Sequence, residues 1–425
     1  MSVVVVGAGV AGVAAAWSAR RAGAEVTLID GGPGASSFTS GAVDDAPWDE
    51  LARASTALGA PPPATPLGEA AAAFARELEL FDVGERRALL ASTGGRLRDA
   101  RGHDHALLDL GTLARGVVAL PRIARAGWDA DALAAAFADD ARARERGLRF
   151  LAVDADVLRF DAEDRAPDAD LASLHDDPER RAWLAARLAA AVGSLDVGAV
   201  LLGPWLGIDP GCAAALTARL HLPVGEALAI GSGTAGLRFE RARDRLLARL
   251  GVSPLFDRVA SVTPRHGEAG LDVELERAAR TLHASAVVLA IGGVAGGGVV
   301  YHPPESAIAG DFPPAGGSAF RLSLGADVLL GAPREGASGV RGDAARALGV
   351  TSSMHGPTLD LDAWPRGDER GVLERVGVLA DRSGRAARGL FVAGDAWAGR
   401  PRTVLEAVRA GVLVGAAAAA SAQGG

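Results

Sequence analysis

The sequence predicts an α/β fold, in which a Rossmann-like parallel sheet from both ends of the chain carries a second, inserted α/β domain. Three observations predict it. Four valines at 3–6 run into three spaced glycines and then a helix-like stretch. A continuous apolar run, "AVVLAIGG" at 286–293, suits a strand buried on both faces of a parallel sheet. A third segment, "GLFVAGDAWAG" at 389–399, leads into a predicted helix over 403–420.

Length and composition limit the class of protein. A chain of 425 residues is long enough for two or three domains, and 49% hydrophobic with 23% charged residues excludes disorder. The net charge of -8 argues against a nucleic-acid surface. One cysteine, Cys212, excludes a disulfide framework and a Cys-ligated iron–sulfur cluster within this chain. No metal-ligand cluster is readable, and the sequence predicts no metal site.

The targeting signals are weak. The apolar start at 3–17 lacks the basic region that precedes the apolar core of a signal peptide. The stretch 403–422 is interrupted by Glu406 and Arg409, so no segment reaches the roughly 18 uninterrupted apolar residues of a spanning helix. We expect a cytoplasmic protein that is not inserted in a membrane.

The N-terminal segment carries a complete dinucleotide fingerprint. Gly7 allows a tight turn, Gly9 lets a pyrophosphate approach the backbone, and Gly12 lets helix and strand pack closely. The N–H groups at the helix start, around Val10 and Ala11, suit the phosphates. Asp30, eighteen positions after the last glycine, is placed to accept hydrogen bonds from an adenosine ribose, next to Gly31.

The later segments favour FAD over NAD, and over FMN. In flavoproteins with two dinucleotide-binding folds, a Gly-Asp pair such as Gly394-Asp395 contacts the ribityl chain or pyrophosphate. The helix after it directs its positive N-terminus at the flavin ring, where it stabilises negative charge. The strand and glycine segment ending at Gly292 resembles the return to the FAD domain in the same proteins. Arg402, just before that helix, is a further candidate contact.

A Gly- and Ser-rich loop, "GGPGASSFTSGAVDD" at 31–45, follows the ribose acid directly. Similar loops in fumarate-reductase-like flavoproteins run beside the pyrophosphate and flavin. That similarity implies contacts from Ser40 and Gly41, and a flexible linker is the alternative interpretation.

These segments predict a division of the chain into five parts. A glutathione-reductase-like FAD domain begins at 1–60, and a Pro-rich stretch, "APPPATP" at 60–66, marks its boundary. The other parts are an inserted α/β substrate or partner domain at 67–255, a β-meander and return to the FAD domain at 257–300, a Gly/Pro-rich segment facing flavin or substrate at 301–384, and the end of the FAD domain at 385–425.

Taken together, the chain resembles the smaller flavin subunit of the anaerobic glycerol-3-phosphate dehydrogenase family. The supporting segments are "VVVVGAGVAGVAAAWSARRAGAEVTLID", "FTSGAVD", "TGGRLRDA", "LPVGEALAIGSGTAGLRFERARDRLLARLG", "VVLAIGGVAGGGVV" and "GLFVAGDAWAGRPRTVLEAVRAGVLVGAAAA".

The resemblance implies oxidation of sn-glycerol 3-phosphate to dihydroxyacetone phosphate, within a complex that contains a larger, catalytic flavin subunit and an iron–sulfur subunit passing electrons to quinones. It also implies a peripheral place at the inner membrane, reached through a partner. The family's smaller flavin subunit is described with FMN, whereas the fingerprint here predicts the full dinucleotide.

Catalytic residues are not identified by the sequence. Oxidising an alcohol next to a phosphate needs a base and a cationic phosphate site, and the candidates are His302, His355, Arg321, Arg400 and Arg402. Two alternatives stay open: a standalone FAD-dependent dehydrogenase or reductase on another small substrate, and a non-catalytic FAD-binding subunit that relays electrons.

Overall fold

The structure, a computed structural model, describes residues 2–44, 69–113, 116–229, 233–265, 268–293, 296–302, 321–324, 377–378 and 380–424. These residues form two units. Unit 1 comprises the described residues of 1–36, 48–74 and 246–425, and unit 2 those of 37–47 and 75–245. The predicted first domain runs to residue 60, whereas the first stretch of unit 1 ends at 36. The Pro-rich stretch at 60–66 lies outside the described residues.

Strands and helices alternate along much of the chain. The strands within the described residues are β1 Ser2–Val6, β2 Glu25–Asp30, β3 Ala42–Val43, β4 Phe81–Ala91, β5 Leu97–Asp104, β6 Gly116–Arg122, β7 Leu148–Asp154, β8 Ala199–Leu202, β9 Val224–Glu226, β10 Leu255–Phe256, β11 Val259–Pro264, β12 Leu271–Leu275, β13 Thr281–Ala284, β14 Ala286–Leu289, β15 Val299–His302, β16 Arg321–Leu324, β17 Arg385–Ala387 and β18 Leu390–Val392. The helices are α1 Val10–Arg21, α2 Glu69–Leu78, α3 Ala130–Ala138, α4 Ala141–Glu145, α5 Asp168–His175, α6 Pro178–Val192, α7 Gly211–Leu220, α8 Thr234–Arg249 and α9 Val404–Gln423.

Unit 1 is organised around a six-stranded sheet in the order β10-β2-β1-β14-β18-β17. All neighbours are parallel except β17, which runs antiparallel to β18. Val3 of β1 lies opposite Val26 of β2 and Ala286 of β14, so β1 is central. Valines 3–6 are buried, as expected for a β-branched run in a parallel sheet covered on both faces. The α/β fold with a parallel Rossmann-like sheet is confirmed.

Helices α1 and α9 pack closely because both present small residues to each other. A Cβ at Gly411 would collide with the carbonyl oxygen of Ala11, and one at Gly415 with the backbone of Ala15. The Ser18 hydroxyl donates to the carbonyl oxygen of Val412 at 2.7 Å across the contact. Glycines at i and i+4 thus let the two backbones approach each other.

Helix α9 is also, by length and composition, the one helix within the described residues that is apolar enough to cross a membrane. However, 61% of its most apolar window is buried inside the protein, where α9 packs on α1 and the sheet. Its apolar composition is therefore accounted for by packing within unit 1.

Unit 2 contains a second parallel sheet, in the order β7-β6-β8-β9, with helices α3 to α7 in its connections. Asp129 and Asp177 cap α3 and α6, because their carboxylates accept backbone N–H groups of the first helical turn. Strands β3, β5 and β4 form a separate antiparallel sheet.

Most predicted elements form, with local corrections. The sequence "DADALAAAFADDARARERG" at 129–147 predicts a single helix. The structure divides it into α3 and α4, because Asp140 starts a new helix by accepting the N–H of Arg142. The apolar residues at 227–230 predict a strand, and this prediction is wrong. The strand in this region, β9, ends at Glu226, and Leu228 makes only an isolated bridge with Ser92. The predicted antiparallel meander is confirmed as β11-β12-β13.

Candidate functional site

The candidate site of unit 1 lies at the carboxyl edge of its parallel sheet. β1 ends before Gly7, β2 ends at Asp30, β14 ends before the turn at 290–293, and β18 ends before Gly394-Asp395. Carboxyl ends of parallel strands meet at one edge, so the predicted segments from three distant parts of the chain come together there. From β1 the chain continues to β2 and β10 on one side of the sheet, and β14 and β18 then lie on the other side of β1. Open α/β sheets bind ligands at such a reversal, which here lies between β1 and β14.

The first and third glycines of the fingerprint are required by the geometry. Gly7 has a φ of +107°, in the left-handed region, and its added Cβ would collide with the carbonyl oxygen of Ala290. A Cβ at Gly12 would collide with the carbonyl oxygen of Gly7 and lie 3.3 Å from the Cβ of Ala290. These two glycines therefore let β1, α1 and the strand-end turn after β14 meet without side chains between them.

The second glycine leaves the start of α1 open. Gly9 is the N-cap of α1, has no side chain to cap the helix, and no acidic residue occupies the first turn. The Val10 N–H donates to the Ser36 hydroxyl at 3.0 Å, and a Cβ at Gly9 would lie 3.3 Å from the same oxygen. The positive end of α1 thus has a hydroxyl beside it and no carboxylate of its own first turn, which suits a phosphate.

The predicted ribose acid is at the expected edge. Asp30 is buried, and its Oδ1 accepts the N–H of Gly32 at 3.0 Å. A Cβ at Gly31 would lie 3.8 Å from the carbonyl oxygen of Asp257, the residue that follows β10. The carboxylate of Asp30 is therefore held at the end of β2, next to the neighbouring strand β10.

The two later segments contact each other and α1. The Arg402 guanidinium donates to the carbonyl oxygen of Asp395 at 2.6 Å, and it occupies the space that a Cβ at Gly293 would need. Gly394 has a φ of +65°, and its Cβ position lies 2.7 Å from the Cβ of Ala11. Gly292, with a φ of +78°, makes the turn after β14.

The start of α9 carries a charged cluster. Thr403 caps the helix, because its hydroxyl accepts the N–H of Glu406 at 3.2 Å. The Glu406 carboxylate pairs with Arg400 at 3.1 Å and with Arg409 at 2.9 Å. Arg400 is buried and stacks on the ring of Trp397 at 4.0 Å. Desolvation lowers the pKa of Arg400, which the ion pair with Glu406 opposes. Arg400 therefore already has an internal partner.

The remaining predicted residues within the described part of the chain belong to unit 2 or to other strands. Ser40 and Gly41 belong to unit 2, where the Gly41 carbonyl accepts the N–H of Asp104 at 2.8 Å. His302 and Arg321 are opposite each other in the antiparallel pair β15-β16. His355 lies outside the described residues.

Sequence reasoning missed two residues of this edge. Ser36 stands in the quoted loop, four residues before Ser40, and its contact with α1 depends on the loop's path rather than on any motif. Gly293 follows Gly292 directly, and only the position of Arg402 shows why a second glycine is needed. The double glycine in "AIGG" is the one signal that could have indicated it.

Comparison with known proteins adds a domain-level match. Residues 1–80 match the family model described as pyridine nucleotide-disulphide oxidoreductase. The chain has a single cysteine, so the match concerns the nucleotide-binding unit and not a redox-active cysteine pair. No curated protein matches the chain.

Several solved structures are similar over most of the chain. A flavocytochrome c3 fumarate reductase in an open conformation is 12% identical, with 99% of this chain and 78% of that chain covered and a TM-score of 0.40. The 3-ketosteroid delta1-dehydrogenase from Sterolibacterium denitrificans is 13% identical, with 99% of each chain covered and a TM-score of 0.36. The Mycobacterium smegmatis Sdh1 complex is 13% identical, with 100% and 68% covered and a TM-score of 0.37. These identities and scores are too low to support an argument about function.

Proposed function

We propose that the chain is a flavin-dependent oxidoreductase whose unit 1 binds FAD. The observation that carries this proposal is the meeting of the Gly7–Gly12 loop, Asp30, Gly292 and the Gly394-Asp395 turn at one edge of a parallel sheet. The N-terminal match to an oxidoreductase domain model agrees with it.

The residues present fit such a group. The side-chain-free start of α1 and the Ser36 hydroxyl suit a pyrophosphate, and Asp30 suits the adenosine ribose. Asp395 and Arg402 would contact the flavin half, beside Gly292. When bound, the flavin supplies an acceptor for a hydride or for single electrons.

The test is the flavin content of the purified protein. We expect a flavin absorption spectrum and, after denaturation, release of FAD rather than FMN, measured by chromatography. Gly12→Ala should remove most of the flavin, because its Cβ would collide with the carbonyl oxygen of Gly7. Gly211→Ala, at the exposed start of α7 in unit 2, is the matched control, because its Cβ would make only an ordinary contact of 3.7 Å with the Asp209 carboxylate. Absence of flavin after reconstitution with FAD would refute the proposal.

We further propose that the substrate is sn-glycerol 3-phosphate, supported by the resemblance to the smaller flavin subunit of the anaerobic glycerol-3-phosphate dehydrogenase family. Anaerobic addition of glycerol 3-phosphate to the flavin-loaded protein should bleach the flavin absorption, while glycerol, the control without phosphate, should not. A flavin that stays oxidised with this chain alone, and is bleached once the partner subunits are added, would favour the electron-relay alternative. A flavin that stays oxidised in both cases would refute the substrate.

We propose in addition that the chain is cytoplasmic and reaches the inner membrane only through a catalytic flavin subunit and an iron–sulfur subunit. The single cysteine supports this, because an iron–sulfur cluster would need ligands from another chain. Affinity purification of the full chain from its native cells should recover an iron–sulfur protein. Recovery of the chain alone from both soluble and membrane fractions would contradict the proposal.

A further inference from the structure

Unit 2 has a cavity of its own, about 660 Å³ in volume, which is within the usual range for small-molecule sites. Its walls are made largely by segments that follow strands of the second parallel sheet. Arg125 and Trp128 follow β6, Pro204 and Trp205 follow β8, and Ala229 follows β9. All of its lining residues within the described part of the chain belong to unit 2.

The position of this cavity in the sheet is informative. In the sheet order β7-β6-β8-β9, the chain goes from β6 to β7 on one side, and β8 and β9 are then added on the other side of β6. The reversal lies between β6 and β8, and the cavity opens beyond the carboxyl ends of these two strands. In open α/β sheets a crevice forms at that point because successive connections leave in opposite directions, and ligands bind in it. Topology and cavity volume therefore indicate the same place independently.

The segment after β8 is held rigidly by buried groups. Arg238, fully buried in α8, donates to the carbonyl oxygen of Gly207 at 2.7 Å and pairs with Glu226 at 2.7 Å. The Glu226 carboxylate in turn accepts the N–H of Leu206 at 2.5 Å. The Thr234 hydroxyl donates to the carbonyl oxygen of Pro204 at 2.8 Å. The wall that includes Trp205 is thus fixed from both sides, as expected for a site that is formed before its ligand arrives.

Of the charged side chains that line the cavity, Arg125 and Asp168 are paired with each other, whereas Glu240 is not paired within the described part of the chain. The guanidinium of Arg125 donates to the carbonyl oxygens of Glu163 and Ala166 and pairs with Asp168 at 2.7 Å. Both of its terminal nitrogens are therefore used within unit 2. The half-buried carboxylate of Glu240 has no hydrogen bond or ion pair to any described residue. Arg125 balances Asp168, so Glu240 leaves the cavity with one uncompensated negative charge.

We propose that this cavity binds a small molecule with an apolar body and a cationic amine, and that Glu240 pairs with the ammonium. Ala169, Ala229 and Leu237 supply apolar wall surface for the apolar body. This proposal does not rest on the proposed flavin function.

The test uses two probes of the same shape and opposite charge, tryptamine and indole-3-propionate, titrated calorimetrically into the full-length protein. We expect tryptamine to bind once per chain, with a dissociation constant of about 1 mM or tighter. Indole-3-propionate should bind at least about tenfold more weakly, because it meets the unpaired Glu240 carboxylate. Absence of tryptamine binding, or tighter binding of indole-3-propionate, would overturn the proposal.

Two pairs of variants locate the binding. Glu240→Gln should weaken tryptamine binding about tenfold or more, while Glu145→Gln, an exposed glutamate on α4, should leave it unchanged. Ala229→Trp should abolish binding by filling the cavity, while Ala132→Trp, on the exposed side of α3, should not. Far-UV circular dichroism checks that each variant is folded. Tryptamine binding that Glu240→Gln leaves intact would refute the assignment even if Ala229→Trp fails to fold.

Discussion

Replacing Arg238 by methionine should destabilise unit 2 strongly. The guanidinium is fully buried and pairs with Asp104 at 2.6 Å and with Glu226 at 2.7 Å, while also donating to the carbonyl oxygen of Gly207. Methionine keeps a long apolar side chain but removes the positive charge between two buried carboxylates. Removing one partner of a buried ionic network typically costs about 3–5 kcal/mol, because the remaining charges are left without compensation.

The loss should also depend on pH. Burial raises the pKa of Glu226 to about 7, although Arg238 opposes the shift. Without Arg238 the pKa of Glu226 rises further, well above its value of about 4.3 in the unfolded chain. Between these two values the folded protein binds a proton that the unfolded chain does not, so the free energy of unfolding falls as pH rises. We therefore expect a larger deficit for the variant at pH 8 than at pH 5.5.

The assay is urea unfolding followed by tryptophan fluorescence at both pH values, because Trp205 is buried next to the segment that Arg238 holds. Arg241→Met, on the same helix, is the control: its guanidinium is half-exposed and pairs with Asp176 at 2.9 Å. An exposed pair of this kind contributes about 1 kcal/mol or less. A loss for Arg238→Met no larger than that of the control, or the same at both pH values, would refute the reasoning.

Three further predictions concern packing, titration and the start of α1. Gly411→Leu should destabilise the protein by about 1–3 kcal/mol or more, because the new side chain collides with α1. Ala416→Leu, on the exposed side of α9, should leave the melting temperature unchanged. Equal melting temperatures for the two variants would contradict the prediction. Burial lowers the pKa of His175 to about 4, so the free energy of unfolding falls as pH drops from the unfolded pKa of 6.5 toward 4. In His175→Gln this fall, measured by urea unfolding across that pH range, should be smaller by about 3 kcal/mol. The same pH dependence in both proteins would contradict the prediction. Ser36→Ala removes the acceptor of the Val10 N–H and should cost about 0.5–1.5 kcal/mol, with weaker FAD retention on dialysis; full retention would exclude a role for the hydroxyl.

The sequence predicts the nucleotide-binding edge well because its requirements are local. Gly7 and Gly12 are needed for backbone contacts within one strand–turn–helix unit, and the strand that ends at Asp30 follows directly. Contacts that depend on the path of a loop were not predictable in the same way. Ser36 contacts α1 and Arg402 lies against Gly293, and neither spacing belongs to a recognisable motif.

The second parallel sheet illustrates a different limit. Apolar runs at 117–120, 148–153 and 199–202 predict strands β6, β7 and β8. The same runs do not predict the order of these strands in the sheet, because apolar periodicity shows which residues are buried and not which strands are neighbours. The cavity between the ends of β6 and β8 follows from that order. Likewise, the unpaired state of Glu240 depends on which side chains the fold brings near it.

The pairing of β1 has a consequence for the order in which the protein forms during synthesis. Val3 pairs with Ala286, and α1 packs against Gly411 and Gly415, so unit 1 needs segments from both ends of the chain. Every residue of unit 2 precedes residue 246, and its parallel sheet lies within 116–226. Domains that are complete in the emerging chain fold as units during translation. Unit 2 can therefore fold on the ribosome before unit 1 does. The nucleotide fingerprint emerges first, but it can be packed into unit 1 only after the last helix, α9, has been synthesised.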